Sequence, residues 1–171
     1  MALISSLEKN QIEEVALEVF KRFEKDTGNV PEWVKVMAHR PEILKEFTEL
    51  FKSIMGKGKV DPYLKWKIAH TVSSALKCPF CVDVTEKMLT KFGADKKMIK
   101  NIKSMKDLPK DEKDILELVE DITDNAYVDK PEILKRLRKK LSEAQIVEII
   151  SVIGLFNYIN RFNNTLGILP E

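Results

Sequence analysis

No stretch of this chain sustains the apolar–polar alternation of a half-buried strand, while signals that start and stop helices recur along its length. That combination restricts the fold to helices packed on helices. Ser5 with Glu8 forms a capping box ahead of the stripe Ile12, Val15, Ala16, Val19, Phe20 and Phe23, which Gly28 closes. Pro31 and Pro41 each open a helix, to about residues 38 and 55. Gly56-Lys57-Gly58-Lys59 reads as a loop, and Asp61 caps the next helix with Pro62 at its first position. A short helix from about Asp95 carries Met98, Ile99 and Ile102. Pro109 opens one carrying Ile115, Leu116, Leu118, Val119 and Ile122, and Pro131 opens another to about 141. Ser142 with Gln145 is a second capping box, and the helix it starts is the most apolar in the chain. The predicted fold is all-α: a single-domain helical bundle over 1–171, with eight or nine helices and residues 1–30 as an N-terminal helical extension. Pro-Glu-Ile-Leu-Lys occurs at 41–45 and again at 131–135. The flanks do not match, so this is a shared helix start and not a repeat.

A hydrophobic content of 44% suffices for one core at this length. The charged fraction of 33% nearly cancels to a net +2, which argues against a nucleic-acid partner; the basic run 135–140 reads as a solvated helix face. No apolar run approaches the roughly 18–20 residues of a membrane span. The longest apolar region, 146–159, is broken by Glu148, Ser151 and Asn157. Residues 1–4 are too short for a secretory apolar region. These features lead us to expect a cytoplasmic protein with no membrane partner.

The two cysteines stand together in Cys78-Pro79-Phe80-Cys81, and a spacing of three puts both sulfurs on one helix face. The pair permits a disulfide, half of a metal site, or a nucleophilic thiol with its resolving partner. Its position favours redox chemistry. Helical runs flank it at 63–76 and 82–92, so Cys78 falls at a helix start with Pro79 at the first position. The helix dipole and the neighbouring Lys77 favour a thiolate there. Cys78 is therefore expected to attack and Cys81 to resolve. A zinc site needs two further ligands, and the only histidines are His39 and His70. We expect no metal and no cofactor.

The two flanking helices form a central hairpin. With the turn centred near 75 and 76, position 66 faces 85 and His70 faces Cys81. His70 then serves either as a base for a thiol or as a core histidine bonded to backbone. His39 precedes Arg40-Pro41 at a helix junction, where a structural role is expected. Among the charges near Cys81, Glu86 is the candidate for a proton relay and Asp83 a solvated charge.

Taken with Met37-Ala38-His39-Arg40-Pro41-Glu42-Ile43-Leu44, Asp61-Pro62-Tyr63-Leu64-Lys65, Gly93, and 156–162 with Leu166-Gly167-Ile168, the CPFC segment resembles the alkylhydroperoxidase D-like family. That family groups with the carboxymuconolactone decarboxylases, and the final segment resembles its peroxidase-related branch. The resemblance implies an all-α fold, homo-oligomers (trimers or hexamers), and thiol-dependent peroxide reduction with a thiol reductant. It also implies a relay of a glutamate twelve residues before the first cysteine and a histidine four after the second. Here those positions hold Trp66 and Thr85. Two functions follow from this pattern. One is a thiol-disulfide oxidoreductase acting on a peroxide or a partner disulfide; the other is a degenerate, non-catalytic or redox-sensing oligomer.

Overall fold

The computed structural model describes residues 2–170; Met1 and Glu171, the ends of the predicted domain, lie outside them. Among the described residues nine α-helices follow one another: α1 (Glu14–Thr27), α2 (Glu32–Met37), α3 (Pro41–Met55), α4 (Pro62–Ala75), α5 (Pro79–Lys91), α6 (Lys96–Ser104), α7 (Lys110–Asn125), α8 (Pro131–Leu137) and α9 (Glu143–Leu166). The proline starts fall where the sequence puts them, because proline lacks only an N–H that a first turn leaves unbonded anyway. Two boundaries differ. The capping box near the N-terminus pairs Glu8 with Gln11 and opens a 3₁₀ turn, Lys9–Gln11, while α1 begins later with Glu14. The last basic turn is not continuous helix either, since α8 ends at Leu137.

Helix α4 is the centre of the bundle and packs against α5, α7 and α9. Every residue from Lys65 to Ser73 is buried. A helix surrounded on all sides is normally apolar throughout. This one carries Lys65, Lys67, His70, Thr71 and Ser73, and the structure satisfies each. Thr71 and Ser73 donate to the carbonyls of Lys67 and Ala69, at 3.0 and 2.8 Å. The Lys67 ammonium meets Glu112 at 2.7 Å and lies 4.3 Å from the Tyr63 ring centroid. The Lys65 side chain is wholly buried; its ammonium donates to the carbonyls of Ile54 (2.8 Å) and Gly56 (2.7 Å) and pairs with Glu148 of α9. Glu148 also accepts from the backbone N–H groups of Lys59 (2.7 Å) and Val60 (3.2 Å). Its carboxylate runs so close to Gly58 that a Cβ there would collide with it. Burial is the largest influence on Glu148 and raises its pKa, yet Lys65 and the two N–H groups together hold it below the ordinary carboxylate value.

The main core gathers α1 through Ala16, Val19 and Phe20, α3 through Leu44 and Phe47, and α9 through Ile149, Val152 and Phe156. Thus α1 packs as part of the bundle, against α3. Trp66 belongs to this core, with ring centroids 6.4 Å from Phe51 and 6.0 Å from Phe156. The basic segment that spans the end of α8 is tied back to α7. Arg136 makes two hydrogen bonds to Asp114 (2.8 and 3.2 Å), and Lys140 pairs with Asp111.

Candidate functional site

A second, smaller cluster holds the cysteines. Val36, Cys78, Phe80, Cys81 and Ile168 are buried together, with Ala2, Trp33, Val84, Phe162 and Leu166 packed around them. Cys78 is the residue that precedes the first turn of α5. Its extended backbone turns Sγ toward that turn, where it accepts from the Cys81 N–H at 3.3 Å. Lys77 before it adopts a left-handed conformation, φ 52°, which makes the sharp corner between α4 and α5. Both cysteines are free thiols, with their sulfurs 2.7 Å apart.

The two thiols are driven in opposite directions. The hydrogen bond shared with Cys81 is the largest influence on Cys78 and lowers its pKa. Burial opposes that lowering, and the N–H groups of Cys81 and Phe80 reinforce it, so Cys78 stays below an ordinary thiol. For Cys81 the same shared hydrogen bond raises the pKa, followed by burial and the charge on Cys78. The Asn163 amide pulls it the other way. Of the two thiols, Cys78 is therefore the one that gives up its proton first, and Cys81 the one that keeps it. The depression of Cys78 comes from these hydrogen bonds; Lys77, expected to contribute, is exposed and is not among its causes.

His70 is buried, and its Nδ1 lies 3.0 Å from Thr85 Oγ1. The Thr85 hydroxyl has one hydrogen, which it directs to the carbonyls of Cys81 and Val82, both at 2.9 Å. His70 Nδ1 must then be the donor, which leaves the neutral ring with Nε2 as its acceptor. Burial is the main cause, with the Lys103 charge second, that lowers its pKa from 6.5 to about 4. The expected pairing of His70 with Cys81 is replaced by a pairing with Thr85, one helical turn along α5. The turn between the helices occupies 76–78, further along than the sequence suggested, and the shift moves every cross-hairpin pair. His70 thus reaches the dithiol through the Thr85 hydroxyl and the backbone of Cys81. Trp66 does not face Thr85, since it lies in the aromatic core between α3 and α9.

Glu86 is exposed on α5, where its backbone carbonyl accepts from Thr90 Oγ1 at 2.9 Å. The structure does not bring it to the sulfurs. Asp83 pairs with Lys87 at 2.7 Å on the solvated side of the helix. His39 Nε2 meets the carbonyl of Ser5 at 2.9 Å, a tie between α2 and the N-terminal segment. No group of three or more His, Cys, Asp or Glu side chains suited to a metal occurs among the described residues.

Asn163, from the last turn of α9, is the site residue that sequence reading missed. It is fully buried, and its Nδ2 donates to Cys81 Sγ at 3.4 Å. Its Oδ1 is buried with no hydrogen-bond partner. An unpaired acceptor of this kind costs about 1–3 kcal/mol. The available signal was polarity out of place, because Asn160 and Asn163 fall on the inward stripe of the most apolar helix. The end of α9 fixes Asn163. Gly167, at φ 68°, reverses the chain, and the Gly167 and Ile168 N–H groups return to the carbonyls of Asn164 (3.3 Å) and Asn163 (3.0 Å). That turn lays Ile168 over the sulfurs. The N-terminal segment crosses above, with the Leu3 N–H bonded to the Leu166 carbonyl at 2.8 Å.

Two consequences are measurable. His70 binds a proton near pH 6.5 when unfolded and near pH 4 when folded. Stability is therefore complete above pH 6.5 and falls as pH drops toward 4, by about 1–2 kcal/mol between pH 7 and 5. Denaturant titrations of His70→Gln will lose most of that slope. Separately, Gly167→Val places a β-branched residue in the left-handed region. The cover over the thiols should loosen, and native-state alkylation should accelerate several-fold; an unchanged rate means that the cover is held by other contacts.

The helical hairpin with a CxxC at its second helix is an alkylhydroperoxidase D-like fold, and similarity to known proteins agrees. Residues 41–105 match the model of the carboxymuconolactone decarboxylase family. The alkylhydroperoxidase AhpD core of a peroxidase-related protein from Ralstonia eutropha JMP134 superposes with a TM-score of 0.89 at 18% identity, over 99% of this chain and 92% of that one. A peroxidase-related protein from Silicibacter sp. TM1040 gives 0.88 at 20% identity with the same coverage. The debrominase Bmp8 gives 0.83 at 24% identity, again over 99% and 92%. No curated protein matches the sequence. The chain therefore has the fold of these alkylhydroperoxidase D-like structures, and its 41–105 segment is similar to the carboxymuconolactone decarboxylase family.

Proposed function

We propose that the protein is a thiol-disulfide oxidoreductase that reduces a peroxide through Cys78 and Cys81. The observation that carries this reading is the buried thiol pair, with its sulfurs hydrogen-bonded at 2.7 Å. The Cys78 thiolate attacks the outer oxygen of a hydroperoxide, and the O–O bond breaks. Cys78 becomes a sulfenic acid, and the departing alkoxide takes the proton held by Cys81. The Cys81 thiolate so formed attacks Cys78 Sγ, the S–O bond breaks, and hydroxide leaves to become water. A thiol reductant returns the disulfide to two thiols. In this scheme Cys81 supplies the proton for which the family's relay would otherwise serve, which suits a site holding Trp66 and Thr85 at the relay positions. A partner disulfide offers Cys78 the same kind of electrophile.

A redox-sensing role that turns over little substrate is the second reading. It is favoured by the complete burial of Cys78 beneath Ile168 and Phe162. Stopped-flow peroxide oxidation with thiol counting, followed by assay with a dithiol reductant, separates the two. Oxidation with sustained turnover supports the enzyme. Oxidation that stops after one equivalent supports the sensor.

The protein is further proposed to assemble as a homo-oligomer. Ile43 and Leu50 of α3 and Val147, Ile150 and Tyr158 of α9 are exposed, and an apolar groove runs between the two helices. Light scattering at micromolar concentration should give a multiple of the 19.7 kDa chain mass; a monomer would end this part of the reading. Among the described residues no helix is long and apolar enough to cross a membrane.

A further inference from the structure

We propose that Asn163 is a positioning residue that holds Cys81 Sγ and stabilises it whenever that sulfur carries the negative charge. The proposal deepens the dithiol reading above and rests on it for the redox steps. Three features point to it. The amide Nδ2 donates to Cys81 Sγ at 3.4 Å and, among the described residues, to no other group. The side chain is fully buried and anchored at both ends of its turn, by α9 and by the Ile168 N–H returning to its own carbonyl. Its Oδ1 is buried with no hydrogen-bond partner among the described residues, as is that of Asn160 one turn earlier, so the carboxamide that meets the sulfur keeps an acceptor to spare.

Cys81 bears charge at two moments. One comes after its proton has gone to the departing alkoxide and before it attacks the sulfenic acid on Cys78. The other comes when a reductant thiolate attacks Cys78 Sγ, the S–S bond breaks, and the electron pair passes to Cys81. An N–H aimed at the sulfur strengthens on both occasions, because a hydrogen bond to a charged acceptor is the stronger kind. His70 makes no such contact, since its hydrogen bond goes to Thr85. The unpartnered Oδ1 gives the carboxamide an acceptor for an O–H in the same place. The sulfenic acid on Cys78 carries that O–H. One side chain would therefore steady the hydroxyl that leaves and the sulfur that displaces it.

The test begins in a Cys78→Ser background, where Cys81 titrates alone and its thiolate is followed by ultraviolet absorbance against pH. Asn163→Leu, which keeps the volume and removes both polar atoms, should move the Cys81 titration upward by about one pH unit, a roughly tenfold loss of thiolate. With both cysteines present, stopped-flow measurement should show sulfenic acid forming on Cys78 at close to the normal rate. Its conversion to the disulfide should slow roughly tenfold. Asn163→Ala, which only removes atoms, carries the same measurements should the leucine fail to fold. An unmoved Cys81 titration in both variants, or unchanged resolution beside an unchanged titration, overturns the proposal. A protein that peroxide does not oxidise would defeat the peroxidase reading alone, since the titration in the Cys78→Ser background needs no oxidant.

Discussion

Cys78→Ser will abolish peroxide-driven thiol loss, whereas Cys81→Ser will still consume one equivalent of peroxide and stop at a sulfenic acid. The asymmetry follows from the opposite influences on the two thiols. Cys78 is held below an ordinary thiol by the Cys81 hydrogen bond and two backbone N–H groups, and Cys81 is held above one. The same arrangement fixes the pH dependence. Alkylation of Cys78 in the wild type will have its midpoint below the pH at which a free cysteine ionises, near 8.5. In Cys81→Ser the largest lowering influence is weakened, and the Cys78 profile will shift toward higher pH. Mass spectrometry of a dimedone-trapped sulfenic acid locates the attacking sulfur. A trapped adduct on Cys81 in place of Cys78 would reverse the two roles while leaving the dithiol intact.

Lys65→Ala will cost about 3–5 kcal/mol of folding stability, the usual result of breaking a buried ion pair from one side. Three groups lose their partner at once: the carbonyls of Ile54 and Gly56, and the carboxylate of Glu148. Glu148 keeps the N–H groups of Lys59 and Val60, which limits the loss. Lys65→Met retains the packed stem and so isolates the ammonium; it should recover part of the loss and no more. Guanidinium denaturation at neutral pH measures both. A cost below about 1 kcal/mol for the alanine variant would mean that the 56–60 loop rearranges to hydrate these groups. This ion pair also bears on the site, because it ties the start of α4 to α9, the two helices that carry His70 and Asn163.

Much of this protein was determined by local chemistry and is legible in the sequence. Proline, aspartate, serine and glycine act on the bonds of a single turn, so Gly28, Pro41, Asp61, Pro79 and Ser142 mark helix ends wherever the rest of the chain goes. The placement of Cys78 at a helix start is information of the same kind. The family resemblance was legible in the order of short motifs, and the fold agrees with it. The Ser5–Glu8 capping box failed because its rival, Glu8 with Gln11, offers the same bonds three residues later, and only the packed chain chooses between them.

What tertiary structure alone decided is who meets whom. The register of the α4–α5 hairpin turned on whether its corner fell at 75–76 or 76–78, and that shift of about half a helical turn moved His70 from Cys81 to Thr85. The burial of five polar residues on α4 could not be read from their types, because each is satisfied by a partner on another element or by its own backbone. Asn163 lies 82 residues from Cys81 along the chain, and their contact exists only because α9 folds back across the hairpin and ends in a glycine turn. Local sequence sets the ends of each helix through bonds within one turn. Contacts between helices depend on the summed packing of all of them, which no single segment encodes.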